Sequence, residues 1–441
     1  MRRTPVPYEH FKNFTGVFRD VPFSTSMSST SVVPSSSRWP GILLILVTLI
    51  IYGLLSVARH SEELIWDEGR YIEYATNLSQ GSYVTDEEPN FVNGPGYPFA
   101  LVPFLGRESV LGARLLNAVF MAGAVGFLWL TVRRYAGAGW AAAGAALMAF
   151  HPTLLWMGFS LMSEPMAMFL LTGFLWSFTH ALRDRRWFWV LTGALFLASL
   201  ILTRVFFGHV LLATAILCLG LMGVKPWRPE LRRALVILAG AFILCTPYLA
   251  YTYAKTGQLL CWSTNSGELL YWLTSHHEGE NGHWFGDEDV RDVPAVAARH
   301  EAFYEEVMAR PILEREAIFK EAAMENLRAD PAQVAYNWAC NLTRLAFGFP
   351  RSHHAEELRG IVLIVFNGPL IFMAALAGVL GLWRWRTVPV EIWLLMGFAA
   401  FYLGGSTLAP SLPRYFVLMM PVLWLGAAHV FSRHVRVALA P

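Results

Sequence analysis

The sequence predicts an all-α polytopic membrane protein with about ten transmembrane helices and a mixed, mostly helical extracytoplasmic loop domain. Three observations lead there. Of 441 residues, 55% are hydrophobic and 15% charged, with 17 Trp and 30 Phe, a balance too apolar for an ordinary soluble domain. Apolar runs of about 20 residues, enough to cross a ~30 Å hydrocarbon core, recur between charged or Gly/Pro clusters. Arg and Lys fall in alternate short loops, as the positive-inside rule requires. The net charge of +2, with basic residues in short scattered clusters, excludes a nucleic-acid-binding stripe; lipid is the implied surrounding.

Residues 1–38 form a Ser-rich extension, expected to be cytoplasmic and disordered. The first apolar run, Gly41 to Ala58, ends without a small-residue cleavage motif and reads as a retained anchor. Within residues 39–254, further spans centre near Val125, Met148, Leu170, Leu195, Val210 and Phe242, with a first outer loop at 59–98. Trp187 to Met222 would extend roughly 54 Å as one helix, so it is expected to be a hairpin with Thr203 and Arg204 near its tip. Residues 255–360 are polar and read as an extracytoplasmic domain, irregular or strand-like through Trp284 and then helical. There Ala297, Phe303, Val307, Ile312, Phe319, Met324 and Leu327 recur at helical intervals. Residues 361–441 hold the last spans, near Leu370, Leu395 and Leu423.

Orientation follows from charge. Arg2, Arg3, Arg38, Arg133, Arg134, Arg183, Arg185, Arg186, Lys225, Arg228, Arg232, Arg233, Arg384, Arg386, Arg433 and Arg436 share one side of the ten-span arrangement, which places both termini in the cytoplasm. Most of the chemistry-bearing residues then collect on the opposite face.

In the first outer loop, Trp66-Asp67-Glu68-Gly69-Arg70-Tyr71 opens a helix whose Tyr71, Ala75 and Leu78 share a face. Asp67 suits an N-cap and Glu68 a first turn. An acidic pair beside Trp at the membrane boundary equally suits a sheltered general base for a hydroxyl nucleophile. Asn93-Gly94-Pro95-Gly96-Tyr97-Pro98 fixes a sharp corner before an apolar helix too short to span. Ser163-Glu164-Pro165, with Ser163 as N-cap and Pro165 in the first turn, is an ordinary helix start, yet an ionisable Glu164 at a span boundary is also a site candidate. Arg204 and Arg414, the latter followed by Tyr415, either snorkel to the interface or hold a lipid phosphate. His276, His277, Glu278 and His283 match no standard metal spacing and read as a solvated loop. Cys261 and Cys340 are either a disulfide or two separate thiols.

In order and placement these motifs resemble the glycosyltransferase C superfamily, specifically bacterial relatives of protein O-mannosyltransferase and lipid A aminoarabinose transferase. The likeness rests on Asp67-Glu68 with Tyr71 and Ala75, the Gly94 to Pro98 corner, Glu164, Leu202-Thr203-Arg204, Ser263-Thr264-Asn265-Ser266-Gly267 and Arg414-Tyr415. Many relatives carry Pro-Pro-Gly-Tyr-Pro where this chain has Gly94-Pro95. The resemblance implies a membrane glycosyltransferase of the cell envelope. Its donor would be a polyprenyl phosphate monosaccharide; its acceptor is a hydroxyl or amine on a protein, lipid or glycan. It implies that Asp67 is the base of an inverting transfer, with Glu164 as the second catalytic acid residue. Arg204 and Arg414 are expected at the lipid phosphate, with Glu68, Arg70, Tyr71, Tyr97 and Tyr415 lining the substrate site. No cofactor is required by these motifs, and a divalent metal stays open. The alternative is a polytopic transporter or lipid-linked sugar flippase, which would carry polar residues near the midplane, whereas here they gather at one face.

Overall fold

The computed structural model describes residues 38–435, apart from 62, 86, 107, 108 and 354–357. The Ser-rich extension and its expected disorder therefore lie outside the described residues, as do Arg2, Arg3 and Arg436. The chain is an all-α polytopic membrane protein, and no strand occurs among the described residues.

The helices in order are α1 (Trp39–Ala58), α2 (Glu68–Ser79), α3 (Gly96–Leu101), α4 (Leu111–Ala136), α5 (Ala138–Ala149) and α6 (Pro152–Gly158). Next come α7 (Glu164–Asp184), α8 (Trp187–Thr203), α9 (Phe207–Gly220), α10 (Arg228–Thr256), α11 (Ser266–Thr274) and α12 (Asp287–Asp292). The last are α13 (Pro294–Met308), α14 (Ile312–Ala329), α15 (Pro331–Phe347), α16 (Leu358–Trp383), α17 (Val390–Ser406) and α18 (Pro413–His434). Each predicted span centre falls inside a helix. Among the described residues, six helices are long and apolar enough to cross a bilayer: α1, α4, α7, α10, α16 and α18. The others differ from straight spans for local reasons. α5 and α6 are one apolar unit bent by 54° where His151 and Pro152 interrupt it. α8, α9 and α17 are shorter apolar helices, the first two being the arms of the predicted hairpin.

Apolar faces alone do not choose partners inside a bilayer, where close packing takes over. α7 and α18 are the most enclosed spans, each with 83% of its apolar window buried, whereas α1 and α16 have 22% and present broad apolar faces outward. Small residues let large rings approach. Tyr52 of α1 lies against Gly158, where a side chain would collide with its ring, and its hydroxyl donates to the Ala149 carbonyl at 3.2 Å.

The segment between α10 and α16 has its own core, built on Tyr271, Trp272, Phe285, Val296, Tyr304 and Phe319. The helical intervals read from sequence are α13 and α14. Of the stretch expected to be irregular or strand-like, residues 257–265 and 275–284 are irregular and Ser266–Thr274 is the helix α11, whose Trp272 packs with Phe285 in a helical core, not in a sheet. Glu316 of α14 accepts from the Gly267 amide at 2.8 Å and the Ser266 hydroxyl at 3.1 Å, capping α11 across the core. All four cysteines, Cys261 and Cys340 included, are unpaired. Asn341 donates to the Ala409 carbonyl at 3.1 Å and Trp338 to the Thr407 hydroxyl at 2.9 Å, tying α15 to the α17–α18 turn.

One buried polar knot in this segment makes stability depend on pH. The Tyr304 hydroxyl faces Glu268 at 2.9 Å and Asp287 at 3.0 Å, but its single proton serves only one carboxylate. Burial pushes the Glu268 carboxyl up, and Asp287 and Glu316 add to the rise against the opposing bonds from Tyr304 and Trp284. An acid whose folded pKa is raised contributes stability below its unfolded pKa and loses it as pH rises through the folded value. Glu268→Gln, which mimics the protonated acid, is therefore expected to raise thermal stability at pH 8 by on the order of 1 kcal/mol and to flatten its pH dependence. Thermal unfolding of the lipid-reconstituted protein between pH 5 and pH 8 measures this.

Candidate active site

The residue before Asp67 has an unusual backbone. Trp66 adopts φ +50°, a left-handed conformation strained for a bulky side chain, and its ring meets Trp156 edge-on at 4.6 Å. Glu68 holds this turn. Its carboxylate is fully buried and accepts from the Ile65 amide at 3.0 Å, the Leu161 amide at 2.6 Å and Arg114 Nη2 at 3.2 Å. Glu68 thus clamps the loop to α4 and to the α6–α7 connection, with none of these bonds made to the neighbouring arginine cluster.

Asp67 occupies the N-cap position of α2, yet its side chain makes no capping bond. It turns instead to the Arg70 guanidinium and to Arg414 Nη1, 3.3 Å away at the start of α18. Ser163 behaves likewise. Expected as the N-cap of α7, it makes no cap bond; its hydroxyl accepts from the Tyr71 hydroxyl at 3.0 Å and from Arg204 Nη1 at 3.3 Å. Two helix starts that leave their caps unmade have assigned those oxygens elsewhere.

Glu164 completes the cluster. It is fully buried at the start of α7, with Oε1 3.2 Å from Arg204 Nη1 and 3.7 Å from Arg414 Nη1. Arg204 and Arg414 also lie 5.4 Å and 5.5 Å from the Tyr415 ring centroid, which fixes both guanidiniums by cation–π contact. The glycine corner explains how Arg204 is placed. A Cβ on Gly94 would collide with the Leu202 carbonyl, and one on Gly96 would come within 2.6 Å of the Thr203 hydroxyl, so the corner rests directly on the α8–α9 tip. Gly94→Ala is expected to displace that tip, lowering stability by about 1–3 kcal/mol and weakening anion binding in proportion, measured by thermal unfolding and ligand titration.

The structure thus brings Asp67, Glu164, Arg70, Tyr71, Arg204, Arg414 and Tyr415 to one place. Tyr97 stands behind it, edge-on to Tyr71 at 5.0 Å with its hydroxyl on Asn117 Oδ1 at 3.3 Å. Three residues were not read as site residues in the sequence. Arg114 is an ionisable group inside an apolar span, a signal that was present. Ser163 was read only as a cap, and Asn93 only as part of a turn. Asn93 Nδ2 donates to the Tyr71 hydroxyl at 3.2 Å, joining the corner to the cluster.

The electrostatics favour an anion. Arg70, Arg204 and Arg414 oppose the two carboxylates of Asp67 and Glu164, an excess of one positive charge. Burial pushes the Asp67 carboxyl up, but Arg414, Arg70 and Arg204 together outweigh it and hold the group below the usual carboxylate range. Burial beside Asp67 and Glu164 pushes the Tyr71 phenol up to about 12, so it stays a hydrogen-bond donor. Several buried polar atoms have no partner: Nε of Arg70 and of Arg414 as donors, Glu164 Oε2 and Asn93 Oδ1 as acceptors. Buried polar groups are normally paired, so these four are unsatisfied positions within the cluster. Among the described residues, no group of three His, Cys, Asp or Glu side chains could hold a metal ion.

Residues 95–251 match the model of the dolichyl-phosphate-mannose-protein mannosyltransferase family. That segment contains Glu164 and Arg204 and leaves out Asp67 and Arg414. No curated protein matches the chain. Among solved structures, ArnT from Cupriavidus metallidurans bound to undecaprenyl phosphate is similar at 17% identity and a TM-score of 0.42, covering 90% of this chain and 78% of that one. Its apo state is similar at 16% identity and a TM-score of 0.40, with the same coverage. The family match bears out the resemblance to the glycosyltransferase C superfamily.

Proposed function

We propose that this chain, a glycosyltransferase C relative, transfers a monosaccharide from a polyprenyl phosphate donor to an acceptor hydroxyl or amine at the outer face of the inner membrane, with inversion. The observation that carries this reading is Arg414 standing between Asp67 and Glu164 in a cluster with one excess positive charge. A phosphodiester carries one negative charge and matches that excess. The unpartnered Nε atoms of Arg70 and Arg414 are donors of the kind a phosphate takes. Placement on the outer face is supported by Arg133, Arg134, Arg183, Arg185 and Arg186 at the opposite ends of α4, α7 and α8.

In the proposed reaction the acceptor oxygen or nitrogen forms a bond to the anomeric carbon as the bond from that carbon to the phosphate oxygen breaks. The acceptor's proton passes to Asp67, and polyprenyl phosphate leaves with the electron pair. Arg204 and Arg414 stabilise the charge growing on the leaving phosphate. Asp67 keeps 18% of its side chain accessible, enough for an acceptor to reach it, whereas Glu164 has none. Glu164 therefore fits a binding and orienting role better than proton transfer.

In the empty site the guanidiniums make Asp67 a weak base. A bound phosphate competes for Arg70 and Arg414, so Asp67 gains basicity only when the donor is present. The test is turnover of purified protein in lipid with a panel of polyprenyl-phosphate sugars, wild type against Asp67→Asn. Undiminished transfer in the variant removes the proposed base. Movement of the lipid-linked sugar across the bilayer without glycosidic cleavage replaces the reading with a flippase.

A further inference from the structure

The helix α15 has its polarity turned inward. Asn337, Cys340, Asn341 and Arg344, which share one helical face, are its buried side. Asn337 donates to the Leu273 and Ser275 carbonyls at 2.9 Å and 2.7 Å, and Arg344 donates to the carbonyls of Asn281, Pro350 and Gly282 at 2.8 Å, 3.0 Å and 3.2 Å. Arg344 is the one charged residue between Pro331 and Phe347, so none is left for the outer side. That side carries Ala335, Tyr336, Trp338, Ala339 and Leu342, with Tyr336, Trp338 and Leu342 exposed by 54%, 43% and 43%. The neighbouring helices of the same segment do the reverse. Glu305 and Glu306 of α13 and Lys320, Glu321 and Glu325 of α14 are exposed, while Val307 and Phe319 are buried. A helix that keeps its polar groups for the protein and turns large apolar ones outward is matched to a surrounding other than water.

What covers this face follows from what adjoins it. α15 is tied through Trp338 and Asn341 to the turn that leads into α18, where Leu408 is 59% exposed and Leu412 is exposed as well. It also packs on α16, whose Leu358, Ile361 and Val365 are exposed at the same end of a span that presents a broad apolar face outward. The bare face of α15 therefore continues a lipid-facing surface.

We propose that α15 lies in the leaflet bordering this end of the bundle, the outer one in the orientation proposed above, with Tyr336 and Trp338 at headgroup depth. The segment between α10 and α16 is then seated in lipid along one helix while α13 and α14 face water. Because α15 holds the turn into α18, this seat also sets the depth of Arg414, two residues beyond Leu412. The inference does not depend on the transfer reaction, and its test needs no substrate.

The test uses the full chain in lipid nanodiscs with one nitroxide at a time, attached through Ala335→Cys, Ala339→Cys or Leu342→Cys on α15 and Lys320→Cys or Glu321→Cys on α14. All five replaced side chains are exposed, and the four native cysteines are buried, so wild type should label only at background level. Electron paramagnetic resonance reads collisions with oxygen, which concentrates in lipid, and with a nickel chelate, which stays in water. Oxygen should dominate at positions 335, 339 and 342, and the chelate at 320 and 321. Chelate dominance at the three α15 positions overturns the inference. So does protection there from both reagents, which would mean that protein covers the face, a second copy if the particle holds two chains. A second measurement needs no label. Lipids brominated high on their acyl chains quench indole emission on contact, so Trp338→Phe should lower the emission that bromine removes; an unchanged quenched emission overturns the inference.

Discussion

Asp67→Asn is expected to lower kcat by about 10²–10⁴-fold while leaving donor affinity equal or higher. The two effects separate because Asp67 has two roles in the proposed site. As the base it acts in the transition state, and Asn cannot take the proton. As an ion-pair partner it holds Arg70 and Arg414, and the neutral variant frees both for phosphate. A fall in kcat together with a weaker donor KM would instead point to collapse of the cluster. The wild-type pH profile adds a second readout. With its folded pKa depressed, the Asp67 ion pair contributes stability above the unfolded carboxylate range and loses it as pH falls through the folded value. The acid limb of kcat/KM, which reports the free enzyme, should lie at lower pH than the limb of kcat, which reports the donor complex. Coincident limbs would mean that donor binding leaves Asp67 unchanged.

The second large effect is expected at Arg414, because among the described residues it is the one guanidinium within 4 Å of both carboxylates, 3.3 Å from Asp67 and 3.7 Å from Glu164. Arg414→Ala leaves a buried Glu164 facing Arg204 alone and removes the excess positive charge. The loss should be about 2 kcal/mol of stability, at the low end for a broken buried pair because Arg414 keeps 21% of its side chain accessible. Donor affinity should fall roughly 30-fold or more. Arg414→Lys should restore stability better than binding. A point ammonium replaces the charge and the one nitrogen, Nη1, that faces both carboxylates, but it cannot lay a planar guanidinium against Tyr415 or offer a phosphate a second nitrogen. Full recovery of donor affinity in Arg414→Lys would mean that net charge alone, and not the guanidinium plane, is what the site uses.

The positions of the apolar helices were legible because a bilayer reads a chain almost one residue at a time, although among the described residues six of the ten expected spans are single helices long enough to cross. About twenty apolar residues are needed whatever lies elsewhere, and a Pro such as Pro152 breaks a run locally. The Trp187 to Met222 hairpin followed from length alone. Identifying the site was harder. Glu68 looked like a partner of Asp67 because the two are adjacent, but successive residues at a helix start point different ways. Its acceptors were filled by Leu161 and Arg114, far along the chain. The strand-like reading before Trp284 failed because β-type residues there serve a local helical core; composition without its packing partner does not distinguish the two.

What the sequence determined by itself is the membrane class, the placement of each apolar helix, and the order in which Asp67, Glu164, Arg204 and Arg414 come. Tertiary structure alone decided that Asp67 gives up its cap for an arginine 347 residues away, and that Glu68 is spent as a clamp. It also decided that Asn93 and Glu164 keep free oxygens. The physical reason is range. Hydrophobic thickness constrains a contiguous stretch of chain, whereas a charge finds its lowest free energy against whichever opposite charge the packed helices bring within about 4 Å.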